Sequence, residues 1–193
     1  MNVIVIRESG HDEALFGLGL SWGLSSGHTH WKRLDVVEQD KLETRACDLA
    51  HMDKGHNKFL RAISVHLDIT APMYWWSQFD TYKVGTVAQS ESKMHTIMRR
   101  PLAQEHFEDG IPRLLLLYLE HLRREGHFHK LVQLLPMSFL QRRIVSTNYA
   151  VLRNILEQRN NHTLPEWEVF CDALEDQLEY PEYITHRLPL HQE

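Results

Sequence analysis

The chain is poor in several features that would point to particular functions. It has only two cysteines, Cys47 and Cys171, in no metal-like spacing. With no export signal ahead of them they are expected as reduced thiols in a cytoplasm. It has no basic excess: 21 Lys and Arg stand against 26 Asp and Glu, for a formal charge of −5. Nucleic-acid binding driven by net charge is therefore excluded, and an anionic ligand must be held by a local cluster of cations. The longest apolar run, around Leu114–Leu117, falls far short of the ~20 residues of a membrane span. The opening MNVIVIRESGHDEAL lacks a basic region followed by a long apolar stretch, so it does not read as a signal peptide. Neither type of Gly-rich phosphate loop is found, and no Ser-His-Asp or Cys-His arrangement has a handle in the sequence. Internal repeats and low-complexity segments are absent as well.

What is present suits one compact domain over residues 1–193, with 42% apolar and 24% charged residues. Fourteen histidines are more than usual. The pairs His28/His30 and His127/His129 bring no third or fourth convergent ligand, so they read as polar loop residues and no metal is expected. Val3–Ile6 reads as a first strand closed by Glu8-Ser9-Gly10, and Glu13–Trp22 as a glycine-weakened helix. Ser25-Ser26-Gly27 marks a loop. Helical spacing recurs from Val36 to Met52, with Gly55 as its stop. The clearest strand is Ala62–Thr70, where Ile63, Val65, Leu67 and Ile69 alternate with polar residues.

Pro72 then suits the first turn of a helix over Met73–Tyr82 that carries Trp75, Trp76 and Phe79 as core anchors. Arg113–Glu125, with six successive apolar residues from Leu114 to Leu119, reads as a helix central to the core, closed by Gly126. Ser146 or Thr147 is expected to cap a helix ending at Arg159, and Pro165 opens a last helix to Glu179. The pairs Arg99-Arg100 and Arg142-Arg143 read as solvated basic faces. The whole reads as α/β, or α+β, with one central sheet flanked by helices.

Two stretches resemble the flavin-dependent thymidylate synthase family. The family signature is Arg-His-Arg-x-x-Ser-x-Asn-Glu-x-Ser-x-Arg-Tyr, with Ala-Gln replacing Asn-Glu in some relatives. The same positions here run without a gap from Thr81-Tyr82-Lys83 through Ala88-Gln89-Ser90-Glu91 to Lys93-Met94, and Ala71-Pro72 and Gln78 precede them as the family allows. Later, Leu135-Pro136, Asn148, Asn154, Arg159 and Glu166-Trp167-Glu168 follow the family's intervals with one extra loop residue.

The resemblance implies a homotetramer that binds FAD and a pyrimidine deoxynucleotide where subunits meet. It implies methylation of dUMP to dTMP, with methylenetetrahydrofolate and a nicotinamide reductant as co-substrates. By position, Tyr82, Lys83, Gln89, Asn148 and Asn154 would face the cofactor, Gln78, Lys93 and Arg159 the substrate, and Arg159 would also be the catalytic residue. Thr81-Tyr82-Lys83 keeps one cation where the family has two guanidiniums, and Glu91 replaces a serine beside the substrate. A carboxylate there would cost about 1–4 kcal/mol against a phosphate at contact distance. A relative that modifies another pyrimidine nucleotide, or a non-catalytic oligomer that keeps the fold, is the alternative. Asn148 and Arg159 should share a helix stripe within ~20°, ~16 Å apart, with Asn154 about 120° away.

Overall fold

The computed structural model describes residues 1–24, 30–52 and 54–185. The loop expected at Ser25-Ser26-Gly27 and the histidine His28 lie outside them. In chain order the elements are β1 (Asn2–Ser9), α1 (His11–Leu20), α2 (Val36–Ala50), β2 (Ser64–Pro72), α3 (Met73–Phe79), β3 (Val87–Ser90), α4 (Lys93–Thr96), α5 (Arg113–Arg124), α6 (Phe128–Leu134), β4 (Leu140–Asn148), α7 (Tyr149–Arg159) and α8 (Pro165–Gln177). None of these helices is long and apolar enough to cross a membrane.

The alternation in β2 sets the layers. Val65, Leu67, Ile69 and Ala71 are wholly buried under the helices, while Ser64, His66, Asp68 and Thr70 face the other way. Strand order is β1-β2-β4-β3 and every pairing is antiparallel, which makes the fold α+β. Side chains from α1, α2, α3, α7 and α8 share the core with the inner face of β2. Among the described residues the outer face carries no such helical layer. Ile4, Asp68, Ile144 and Gln89 form one row across it, and Ile4 keeps 45% of its surface in solvent.

Strand β4 has no clear period in sequence because Arg142 and Arg143 sit side by side. Pairing resolves them onto opposite faces: Arg143 lies opposite Ile69 on the helical side, and Arg142 lies opposite Thr70 on the open side. The strand also runs through Ser146 and Thr147, which pair with His66 and Val65, so neither caps the next helix. Asn148 does so instead, with an extended backbone and its Oδ1 accepting from Val151 N at 3.1 Å. As a cap it lies outside the helical stripe of Arg159, at the opposite end of α7. Pro72 likewise ends β2 as the residue before α3 rather than lying within its first turn.

The larger departure is α5. Its run of leucines belongs to a separate small cluster of Ile97, Leu102, Phe107, Leu119, Leu122 and Leu131, built by the excursion between β3 and β4. Only Leu119 and Leu122 of the helix are buried, and Leu114 is 82% exposed. A helix packed on one side needs one apolar stripe, so Leu115 and Leu116 are partly covered, Leu114 and Leu117 are left in solvent, and α5 is not central to the core. Glu120 ties this excursion together by accepting from Leu102 N, Arg123 and Arg124. Those bonds, Arg123 foremost, hold its carboxyl at about 2.

Candidate functional site

Core packing places the first group of polar residues. Trp75, Phe79, Trp167 and Phe170 interlock, with the rings of Trp75 and Trp167 centred 4.7 Å apart. The tryptophans of α3 are thus core anchors, as their spacing suggests. At the rim of this cluster the Trp167 indole donates to Gln78 Oε1 at 2.8 Å. The Arg159 guanidinium lies 4.6 Å over the Trp167 ring, donating to Tyr82 Oη at 2.8 Å and to Gln78 Oε1 at 3.4 Å. The Tyr82 hydroxyl in turn donates to Gln158 Oε1 at 3.0 Å, and Gln158 Nε2 donates to Asn154 Oδ1 at 3.0 Å.

Gln78, Tyr82, Asn154 and Arg159 are therefore joined in one directional chain. Gln158 closes the angular gap between Asn154 and Arg159. Sequence reasoning missed it, although its i,i+4 spacing from Asn154 was available as a signal.

The orientation of the amides has a chemical consequence. Gln78, Asn148 and Asn154 each have their carbonyl oxygen taken by a protein donor. Each side chain is thereby turned so that its NH2 group is the free end. Two fixed donors in the chain of a guanidinium, with a third at the other end of α7, suit an extended ligand rich in acceptors, such as carbonyl oxygens, ring nitrogens or phosphate.

Gly85, with φ +76°, brings the exposed loop of Lys83 onto the start of α7. A Cβ at that position would lie 3.0 Å from Val151 Cγ2 and 3.1 Å from Asn148 Nδ2, so the close approach depends on glycine.

A second group lies along the β3–β4 edge. Arg143 stacks 4.2 Å over Trp76 and donates to Asp80 at 2.7 Å and to Gln141 at 3.2 Å, so it is no solvated face. Arg142, by contrast, is exposed and held by both oxygens of Asp68. Lys93 is half-buried with Met73 Sδ, at 3.3 Å, as its acceptor, and among the described residues no carboxylate pairs with it. Burial, and then the nearby Arg143 guanidinium, lower its pKa below the ordinary lysine value.

A lysine with a depressed folded pKa costs stability while protonated. That cost is relieved as pH rises from the folded pKa towards the unfolded value of about 10.4. An anion bound beside Lys93 would oppose the depression. Acylation of Lys93, followed by mass spectrometry between about pH 8 and 11, should titrate earlier than exposed lysines and shift upward with added inorganic phosphate. A midpoint that matches the exposed lysines would rule out the cation as a waiting anion partner.

On the open side of the sheet lies a cleft of about 710 Å3, lined by Gln89, Glu91, Arg100, Glu105 and Arg142 over an apolar floor that includes Ile97 and Ile144. Gln89 therefore faces away from α7, and among the described residues the side chains of Lys83, Gln89, Asn148 and Lys93 make no hydrogen bond to the Arg159 chain. Arg100, expected on a solvated face, lines this cleft. No group of His, Cys, Asp and Glu among the described residues could hold a metal ion.

No family model and no curated protein matches the chain in sequence. Solved structures match it in shape. A flavin-dependent thymidylate synthase from Helicobacter pylori, complexed with FAD and dUMP, is 18% identical with a TM-score of 0.73, over 95% of this chain and 98% of that one. A second structure of the Helicobacter pylori enzyme with FAD and dUMP is 17% identical at the same TM-score, over 95% and 97% of the two chains. A UMP/dUMP methylase, PolB from Streptomyces cacaoi, bound with 5-Br UMP, is 12% identical with a TM-score of 0.63, over 94% and 91%. The chain has the fold of the flavin-dependent thymidylate synthases, as a divergent example of it.

Proposed function

We propose that this protein is a flavin-dependent enzyme of the thymidylate synthase type, acting on a pyrimidine nucleotide with dUMP as the first candidate. The observation that carries the reading is the chain that joins Gln78, Tyr82, Asn154 and Arg159, with the amide NH2 groups of Gln78 and Asn154 left outward in it and a third, that of Asn148, at the far end of α7, all at positions matching the family's intervals.

The donor set fits FAD. Asn148 and Asn154 would present NH2 groups to an acceptor-rich ring or pyrophosphate, Lys83 would supply an exposed cation and Tyr82 would complete this side. Gln89, expected to face the cofactor, lies instead in the open cleft on the other face of the sheet. A reduced flavin, when bound, supplies the redox chemistry that moves a methylene from methylenetetrahydrofolate to the pyrimidine and completes it as a methyl group, with a nicotinamide as the source of electrons. The protein's part is orientation and charge. Arg159 neutralises the anionic substrate and stabilises charge that develops on the pyrimidine ring, Gln78 fixes the ring's edge, and Lys93 receives the phosphate.

The Arg159 chain and the residues of the open cleft face opposite sides of one sheet. One substrate can meet the Arg159 chain and the cleft residues together where a second copy supplies the other half, which favours an oligomer, with the homotetramer as the form proposed. Glu91 in the cleft favours the second reading, a pyrimidine nucleotide other than dUMP.

The visible absorption spectrum before and after FAD is added, read with tritium release from ring-labelled dUMP in the presence of folate and reductant, tests the proposal. Bound flavin and released tritium are expected. A folded protein that takes up neither flavin nor nucleotide would sink it in favour of a non-catalytic oligomer.

A further inference from the structure

The open cleft has a charge balance that a phosphate would not choose. Glu91 and Glu105 both line it, and of its two arginines Arg142 is held by Asp68 through Nε and Nη2. Arg142 also feels the charge of Glu91, but its bonds go to Asp68. Arg100 is the cation in the lining that makes no ion pair among the described residues. Two carboxylates face one free guanidinium, so the cleft is acidic on balance.

Across the β3–β4 edge the situation reverses. Lys93 and Arg143 lie close together; Arg143 is itself paired with Asp80, while among the described residues the lysine has a thioether and no carboxylate as its partner. The chain between the two sides is short. Glu91 follows β3 directly, and its backbone N–H donates to Arg142 O at 2.9 Å, fixing it at the lip of the cleft. A nucleotide lying over this edge would set its phosphate towards Lys93 and its base in the cleft.

We infer that the base held there is an amino-pyrimidine, so that cytosine nucleotides bind in preference to uracil nucleotides. This rests on the reading of the protein as a pyrimidine-nucleotide enzyme. An ionised carboxylate only accepts hydrogen bonds. Against the uracil O4 it sets lone pairs facing lone pairs. Against the cytosine N4 amino group it makes a charge-assisted bond, the pairing that carboxylates use to read cytosine. Gln89, exposed on the same lining, can donate to the ring N3 or O2 and leaves the N4 hydrogens to Glu91. The volume of about 710 Å3 falls in the range of ligand sites, about 300–1,000 Å3. The exchange of a serine for Glu91 at a substrate position thus becomes a specificity device rather than a defect.

Calorimetric titration of the protein with dCMP and dUMP tests this. The native protein should bind dCMP about tenfold more tightly or better. Glu91→Gln, which can offer either a carbonyl or an NH2 group to the base, should bring the two nucleotides to within about threefold. The Glu91 side chain is exposed and makes no hydrogen bond among the described residues, so the variant should melt at the native temperature. Glu105→Gln, titrated in parallel, covers the other carboxylate.

Equal affinity, or tighter binding of dUMP by the native protein, would overturn the inference while leaving the pyrimidine-nucleotide reading intact. So would a dCMP preference insensitive to both substitutions. Absence of binding by either nucleotide would overturn the inference and the broader reading together.

Discussion

Arg159→Ala should weaken nucleotide binding by about 100-fold, since hydrogen bonds from a charged group contribute about 1.5–3 kcal/mol each and the guanidinium is the cation of its cluster. The fold should lose far less. Tyr82 keeps its bond to Gln158, and Gln78 keeps the Trp167 indole. The expected signature is therefore a large rise in the dissociation constant for dUMP or dCMP beside a loss of stability of only about 1 kcal/mol in urea unfolding.

Arg159→Lys should recover little of the affinity. An ammonium cannot span Tyr82 and Gln78 with a planar fork while lying over the Trp167 ring. FAD affinity should fall more modestly, by several-fold, through loss of the donor that aligns Tyr82, Gln158 and Asn154. A nucleotide affinity within about threefold of native for Arg159→Ala would reduce the residue to a packing role.

The second large effect is expected at Trp167, where stability and site meet. Its ring is wholly buried against Trp75, Phe79 and Phe170, and its Nε1–H holds Gln78. Trp167→Ala should cost about 3–5 kcal/mol, a large share of the roughly 5–15 kcal/mol by which domains of this kind are stable. Trp167→Phe separates the two roles. It keeps most of the ring contacts but removes the donor, so Gln78 is left with only the longer 3.4 Å bond from Arg159.

A stability loss of about 1–2 kcal/mol, with ligand affinity reduced about tenfold, is the expected outcome for Trp167→Phe. Urea unfolding with an unchanged slope, paired with flavin and nucleotide titration, measures both quantities. If Trp167→Phe binds ligands as the native protein does, the orientation of Gln78 does not depend on the indole.

Particular elements show how far sequence alone reaches. The period of two in Ile63, Val65, Leu67 and Ile69 located β2 and its buried face. Pro165 marked the start of α8, and Val36–Ala50 was readable from helical spacing. The interval from Asn154 to Arg159 and the segment around Trp167 pointed to the residues that the fold gathers. Each of these signals is local, because burial of one face imposes a period within one element.

Strand β4 and the place of α5 were not legible for the same reason. Adjacent arginines erase the alternation of β4 unless one knows that Arg143 has Trp76 to stack on and Arg142 has Asp68 to pair with. The leucines of α5 report apolarity but not how many neighbours arrive to cover it.

By itself, then, the sequence determined the segments whose period is clear, β2 with its buried face and the helices α2 and α8 among them, and which polar residues stand at family-like intervals. Only the tertiary structure decided that Gln78, Tyr82, Asn154 and Arg159 act as one chain, while Gln89 and Glu91 face a separate cleft. The physical reason is range. Periodicity is written over a few residues, whereas the contact of Tyr82 with Arg159 joins positions 77 apart, and that meeting depends on how the strands pair and how the tryptophan core packs between them.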